Sequence, residues 1–227
     1  MEERKTIYLC LAHMSETGEE QKYVKEAFDT NWVVPLGPNV NGFEDDLKAF
    51  VSKNSDGSEL SREVVALSAG TAAVHLGLLA SGVGPGDEVC VQSFTFCASS
   101  HPITYLGATP VFIDSEPDSW NMDPELLEKA IIDRKEKTGK YPKAIVPVAL
   151  YGMPYDCDKI MAISEKYGIP VVEDAAEGCG SRWKGQVLGT FGKFGVLSFN
   201  GNKMITTSGG GALICQDAES KNNVMWY

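Results

Sequence analysis

The sequence predicts an α/β fold with a mostly parallel central sheet flanked by helices. From residue 63 onward, short apolar runs alternate with stretches of helical periodicity, the pattern of strands laid side by side through crossover helices. Of the 227 residues, 43% are hydrophobic and 22% charged. That balance suits a chain that buries a real core rather than a disordered one, and the length allows one large domain or two small ones.

The elements follow in chain order. IYLCLA reads as a short strand near the start. EEQKYVKEAF then places Tyr23, Val24, Ala27 and Phe28 on one helical face. A loop, NWVVPLGPNVNG, carries two prolines and two glycines, and GFEDDLKAFV is a second helix with Phe43, Leu47 and Phe50 at helical spacing. EVVALS is a strand and TAAVHLGLLAS a helix. DEVCVQ is a strand, TFCASSHPITYLG a helix, and TPVFID a strand. DPELLEKAIIDRK is a helix with Asp123 at its N-cap and Pro124 in its first turn. KAIVPVAL, DCDKIMAISEKYG and IPVVED are strand, helix and strand. WKGQVLGT, KFGVLSF and GALICQ are strand-like pieces joined by glycine-rich turns, and DAESKNNVMWY begins a helix. There is no internal repeat and no low-complexity segment.

Charge and composition exclude several classes of function. The net charge of −11, from 20 basic and 31 acidic residues, argues against a nucleic-acid binder and against an anionic membrane surface as partner. A small anionic ligand in a local pocket remains compatible. Cysteines 10, 90, 97, 157, 179 and 215 form no Cys-x-x-Cys pair, which suits reduced thiols in a cytoplasmic protein. Histidines 13, 75 and 101 lack metal-ligand spacing. No apolar run reaches the ~18 residues of a membrane span, and the N-terminus does not read as a signal peptide.

In open α/β sheets, ligands gather at the carboxyl ends of strands. Four features stand there, each with a plainer reading of its own. After EVVALS comes Ala69-Gly70-Thr71-Ala72-Ala73 at a helix start. It is a phosphate cradle or an ordinary capped turn. After DEVCVQ comes Ser93-Phe94-Thr95-Phe96, with an aromatic that stacks on a planar ring or belongs to the core. After IPVV comes Glu173-Asp174-Ala175-Ala176-Glu177, with a carboxylate for a protonated ring nitrogen or a helix cap. Lys203 lies in SFNGNKMITTSGGG, a reactive amine or a surface lysine. GVGPGD follows a helix and precedes a strand, the reverse of the dinucleotide fingerprint, and neither a Walker-type loop nor a G-x-S-x-G elbow is present. Taken together, cradle, stacking ring, carboxylate and amine are the parts that hold pyridoxal 5'-phosphate (PLP).

The chain resembles the DegT/StrS-type sugar aminotransferases, of the fold-type I PLP enzymes. The resemblance rests on HMSETGEEQKYVKEAFDTNWVVPLGPNVNGFE, SAGTAAVHLGLL, QSFTFCASSHPITYLGATPVFIDSEPDSWNM, VVEDAAEGCGS and SFNGNKMITTSGGG. It is most similar to the transaminases that make UDP-4-amino-4,6-dideoxy-N-acetylhexosamines for bacterial glycan or exopolysaccharide synthesis. The resemblance implies Lys203 as Schiff-base lysine and proton shuttle, and Asp174 as partner of the pyridine nitrogen. It places Glu177 beside the ring's phenolic oxygen and Phe96 over the ring. Gly70, Thr71, Ala72 and Ser198 would hold the phosphate, and Trp32 to Pro38 would line the sugar side. It also implies ping-pong transamination with glutamate as amino donor and a nucleotide sugar as acceptor, in a homodimer. The presence of lysine at 203 favours transamination over the dehydration run by members with histidine there. Because members of this family are longer, residues 1–227 are expected to form an N-terminal segment plus the large PLP-binding domain, without the small C-terminal domain. A truncated chain of this kind is expected to be poorly soluble and weakly active. A non-catalytic PLP-binding remnant and a PLP-dependent dehydratase or lyase are the competing expectations.

Overall fold

The computed structural model describes residues 14–227. The expected strand IYLCLA lies outside the described residues. Helices α1 (Glu19–Asp29) and α2 (Pro38–Val51) come first. Strand β1 (Glu63–Leu67) leads into α3 (Gly70–Ala80), and β2 (Glu88–Gln92) into a 3-10 turn at Cys97–Ser99 and the short α4 (His101–Tyr105). Next come β3 (Thr109–Ile113), α5 (Pro124–Thr138), β4 (Ala144–Val146), a 3-10 turn at Leu150–Gly152, α6 (Cys157–Tyr167) and β5 (Val172–Asp174). A small hairpin, β6 (Arg182–Trp183) and β7 (Gln186–Val187), precedes β8 (Phe194–Ser198), β9 (Gly211–Cys215) and α7 (Ala218–Trp226).

Strands run in the order β1-β9-β8-β5 in one sheet and β3-β2-β4 in another. Parallel bridges Ile145–Val171 and Val148–Asp174 connect β4 to β5, so the two form one central layer. Within it β2–β3, β2–β4 and β5–β8 are parallel, whereas β9 runs antiparallel to both β1 and β8. The expected mostly parallel sheet is present, with β9 as its reversed member. A tight return from β8 through the 199–210 loop makes that reversal possible, since no crossover helix intervenes.

Alternation along the strands sorts the core onto two faces. Val64, Cys90, Ile145, Leu197, Ala212 and Ile214 point to one side, where α2, α5 and α6 add Val51, Leu127, Ile131, Ile160 and Ile163. Val65, Val89, Val91, Val146, Val196 and Leu213 point to the other, against Ala73, Val74 and Leu78 of α3, Ile103 of α4 and Val224 of α7. The result is three layers, helix on sheet on helix. The Asp123 cap forms as expected, its Oδ1 accepting from the amides of Glu125 and Leu126 at 2.7 and 3.2 Å.

Several elements differ from expectation. The helix expected over TFCASSHPITYLG is broken into the 3-10 turn and α4, because Pro102 has no N–H to carry the ladder through and is tolerated only in the first turn of a new helix. Helix α2 starts at Pro38 rather than Gly42, with proline at the helix start where its missing N–H costs nothing. Tyr23, Val24 and Phe28 do share a face of α1, but all three are exposed. The five cysteines among the described residues are free thiols, and all but Cys97 are buried. Burial pushes the Cys90 thiol up to about 12, so it stays protonated and inert. No helix among the described residues is long and apolar enough to cross a membrane.

Candidate active site

The carboxyl ends of β1, β2, β5 and β8 open on one cavity of about 640 Å³. Gly70, Thr71, Phe96, Asp174, Glu177, Ser198 and Lys203 all line it. Ala72 does not. It sits one position further into α3, so only its first-turn amide could serve a ligand there. Residues 32–38 are also absent from the lining, and Trp32, Val33, Val34 and Leu36 are exposed elsewhere on the surface.

One wall is the start of α3. Its N-cap residue, Ala69, supplies no side-chain cap, so the first-turn amides meet the cavity without an internal carboxylate or hydroxyl over them. Ser198, at the end of β8, stands opposite. A Cβ added to Gly70 would lie 2.9 Å from Ser198 Cβ and 3.2 Å from its Oγ, so only glycine lets these two walls approach. Ser198 Oγ also accepts from the Asn200 amide at 3.4 Å. The glycine run contributes differently at each position. Gly209 and Gly210 line the cavity, while Gly211 packs backbone on backbone, its would-be Cβ 2.4 Å from the Ala69 carbonyl carbon.

The floor is the end of β5. Adjacent strand residues face opposite ways, and this separates two acids. Glu173 turns to the interior, where its carboxylate accepts from the amides of Gly189, Phe191 and Gly192 at 2.9, 2.6 and 2.6 Å. It pins the turn before β8. Asp174 turns to the cavity and is only 6% exposed. Its Oδ2 accepts from Ser99 Oγ at 2.6 Å and its Oδ1 from the Ala176 amide at 3.2 Å. Burial holds its carboxyl above the ordinary aspartate range, opposed by the Ser99 and Ala176 bonds and by the nearby Lys203 charge.

Lys203 reaches in from the loop after β8. Its side chain is 14% exposed, and Nζ lies 3.2 Å from Glu177 Oε1. Glu177 Oε2 accepts from the Tyr151 amide at 2.7 Å. Tyr151 has left-handed backbone at φ 49°, and its exposed ring lines the cavity. Phe96 forms an open wall at 74% exposure, a ring available for stacking.

Several lining or supporting residues were given no role by the motif reading. Phe94, Thr95, Tyr151, Asn200 and Asn202 line the cavity too. Behind it, fully buried Gln92 accepts from the amides of Met122 and Val148 and donates to the Phe94 carbonyl. Asn121 accepts from the Leu150 amide and donates to the Met153 carbonyl, which fixes the turn that presents Tyr151. A glutamine closing the apolar run of β2 was the available signal for this network.

The model of the DegT/DnrJ/EryC1/StrS aminotransferase family matches residues 14–227. The chain belongs to this family. It is 51% identical over 213 residues to "Putative pyridoxal phosphate-dependent aminotransferase EpsN" of Bacillus subtilis (strain 168), covering 94% of this chain and 52% of that one. It is 40% identical over 200 residues to the GDP-perosamine synthase of Caulobacter vibrioides, covering 88% and 50%. Among solved structures, NtdA from Bacillus subtilis with bound cofactor PMP superposes with a TM-score of 0.79 at 29% identity, covering 94% of this chain and 45% of that one. The chain thus spans about half the length of the curated relatives it matches.

Proposed function

We propose that this chain is the cofactor-binding part of a PLP-dependent aminotransferase that acts on a nucleotide-linked keto sugar. The carrying observation is convergence: an uncapped helix start facing a serine, an exposed ring, a buried carboxylate and a paired lysine share one cavity. The donor set fits PLP. The Gly70–Ser198 approach leaves a cradle that a single Cβ would fill, and amides at a helix start favour a phosphate dianion.

Gly70, Thr71, Ala72 and Ser198 would hold the phosphate through amides and hydroxyls. Phe96 would cover one face of the ring, and Asp174 would pair with the ring nitrogen. When bound, the cofactor supplies an aldehyde that takes up an amino group and a protonated ring that accepts an electron pair. Lys203 Nζ is the base that moves the proton at the substrate carbon. Glu177, on Lys203 at one oxygen and on the Tyr151 amide at the other, fixes where that amine sits. Glutamate is the proposed amino donor. The proposed acceptor is a UDP-linked 4-keto-6-deoxy-N-acetylhexosamine in glycan or exopolysaccharide synthesis, with a homodimer as the working form. The names of the 51% and 40% identical relatives support the aminotransferase and nucleotide-sugar parts.

The test is incubation of the PLP-loaded protein with glutamate and the UDP-4-keto sugar, followed by mass spectrometry. The proposal expects 2-oxoglutarate and an amino sugar in equal amounts. A dehydrated sugar with no keto acid would overturn it.

A further inference from the structure

Asp174 is held by more than its own strand. Its backbone amide donates to the Pro147 carbonyl at 2.9 Å, and its carbonyl accepts from the Ala149 amide at 3.0 Å. The backbone is therefore fixed, but the aim of the side chain depends on Ser99. Ser99 is wholly buried, and its hydroxyl lies 2.6 Å from Asp174 Oδ2. That distance is in the range of a hydroxyl donating to a charged carboxylate. Thr95 Oγ1 is in turn 2.8 Å from Ser99 Oγ.

Counting protons gives this chain a direction. A serine hydroxyl has one proton. If Asp174 is ionised, that proton points at Oδ2, so the Thr95 contact must be Thr95 donating to Ser99. If Asp174 is protonated at Oδ2, that bond reverses and the Ser99 proton is free to turn to Thr95. The same short turn also carries Phe96, whose carbonyl accepts from the Ser99 amide at 3.1 Å. One turn thus delivers a ring to the cavity wall and a hydroxyl to the cavity floor.

We propose that Thr95 and Ser99 form a two-hydroxyl relay that keeps the Asp174 carboxylate ionised and aimed into the cavity. Ser99 and Thr95 are positioning residues, acting through Asp174. The consequence for a ring nitrogen rests on the reading under Proposed function, but the relay itself does not. The other charged groups facing Asp174 are Lys203, which favours its ionised form, and Glu177, which opposes it. Ser99 is wholly buried, and its loss leaves Oδ2 without that donor.

The direct test needs no cofactor. Carboxyl carbon NMR of aspartate-labelled protein, with the Asp174 signal assigned by its loss in Asp174→Asn, follows the titration of this one group. Ser99→Ala is expected to move its midpoint upward by about one to two pH units, the worth of a hydrogen bond to a charged group. Thr95→Val, which replaces a hydroxyl by a methyl, is expected to move it the same way by less. Ser99→Cys keeps the volume and serves if the alanine variant fails to fold. An unmoved midpoint in the serine variants overturns the relay, as does a downward shift.

A second arm reads PLP affinity against pH by absorbance. Ser99→Ala is expected to weaken binding about 10- to 100-fold near neutrality and to recover as pH rises. In an Asp174→Asn background it is expected to add nothing. Equal weakening at every pH, or full additivity with Asp174→Asn, would assign Ser99 a packing role only. Wild-type protein that binds no PLP, with the NMR shift intact, would sink the cofactor reading and leave the relay standing.

Discussion

Gly70→Ala separates the stability of the fold from the shape of the cradle. The added Cβ would meet Ser198 Cβ at 2.9 Å and Oγ at 3.2 Å, with the Leu197 carbonyl oxygen at 3.6 Å. The first contact is closer than real Cβ atoms tolerate, so the Ser198 side chain or the α3 start must move. Overpacking of this kind costs about 1–3 kcal/mol. Alanine in place of glycine in a helix returns up to about 1 kcal/mol, and Gly70 has no left-handed backbone to forbid it. The net is a loss of about 0–3 kcal/mol, or roughly 0–12 °C in Tm for a chain of this size. Ligand binding has no such offset. With the phosphate held as proposed, displacing Ser198 away from the α3 start would remove at least one hydrogen bond to it, about 10- to 100-fold in affinity. Thermal melts and PLP titrations of the purified variant check both numbers. Unchanged PLP affinity alongside a lowered Tm would refute the assignment of this wall to the phosphate.

Other outcomes follow from the same geometry. Gly211→Ala places a Cβ 2.4 Å from the Ala69 carbonyl carbon and 2.5 Å from the Gly70 amide nitrogen. Both are backbone and cannot swing away, so chemical denaturation is expected to show a loss of about 3 kcal/mol or more. Asp174 has a raised carboxyl in the cofactor-free fold, so the native state binds a proton more tightly than the unfolded chain. Its stabilising contribution is full below the ordinary aspartate range and is lost as pH rises through the raised folded value. Asp174→Asn is therefore expected to raise the neutral-pH Tm of cofactor-free protein and flatten part of that fall, while weakening PLP binding. A lower neutral Tm in this variant would contradict the burial argument.

Much of the site was legible because its parts occupy positions that the strand–helix rhythm marks. Asp174 ends an apolar run, Gly70 and Thr71 open a helix, and Lys203 sits in a glycine-rich turn after a strand. Such positions converge in any open α/β layer. The direction of β9 was not legible, since reversal depends on how the 199–210 loop returns rather than on periodicity. Ser99 was hidden for a different reason. CASSHP reads as helix until Pro102 breaks it, and nothing in a serine's identity tells that a carboxylate 75 residues away in sequence will face it. Tyr151 is similar: its left-handed backbone is imposed by the Asn121 and Glu177 bonds, which are tertiary. The role expected for residues 32–38 has no counterpart in the cavity lining.

The proposed chemistry stands or falls with Lys203. The protein is mixed with PLP, reduced with borohydride, digested and mapped by mass spectrometry. A phosphopyridoxyl group is expected on the peptide carrying Lys203, and its disappearance together with the imine absorbance in Lys203→Ala. Labelling spread over surface lysines, or undiminished in Lys203→Ala, would contradict it.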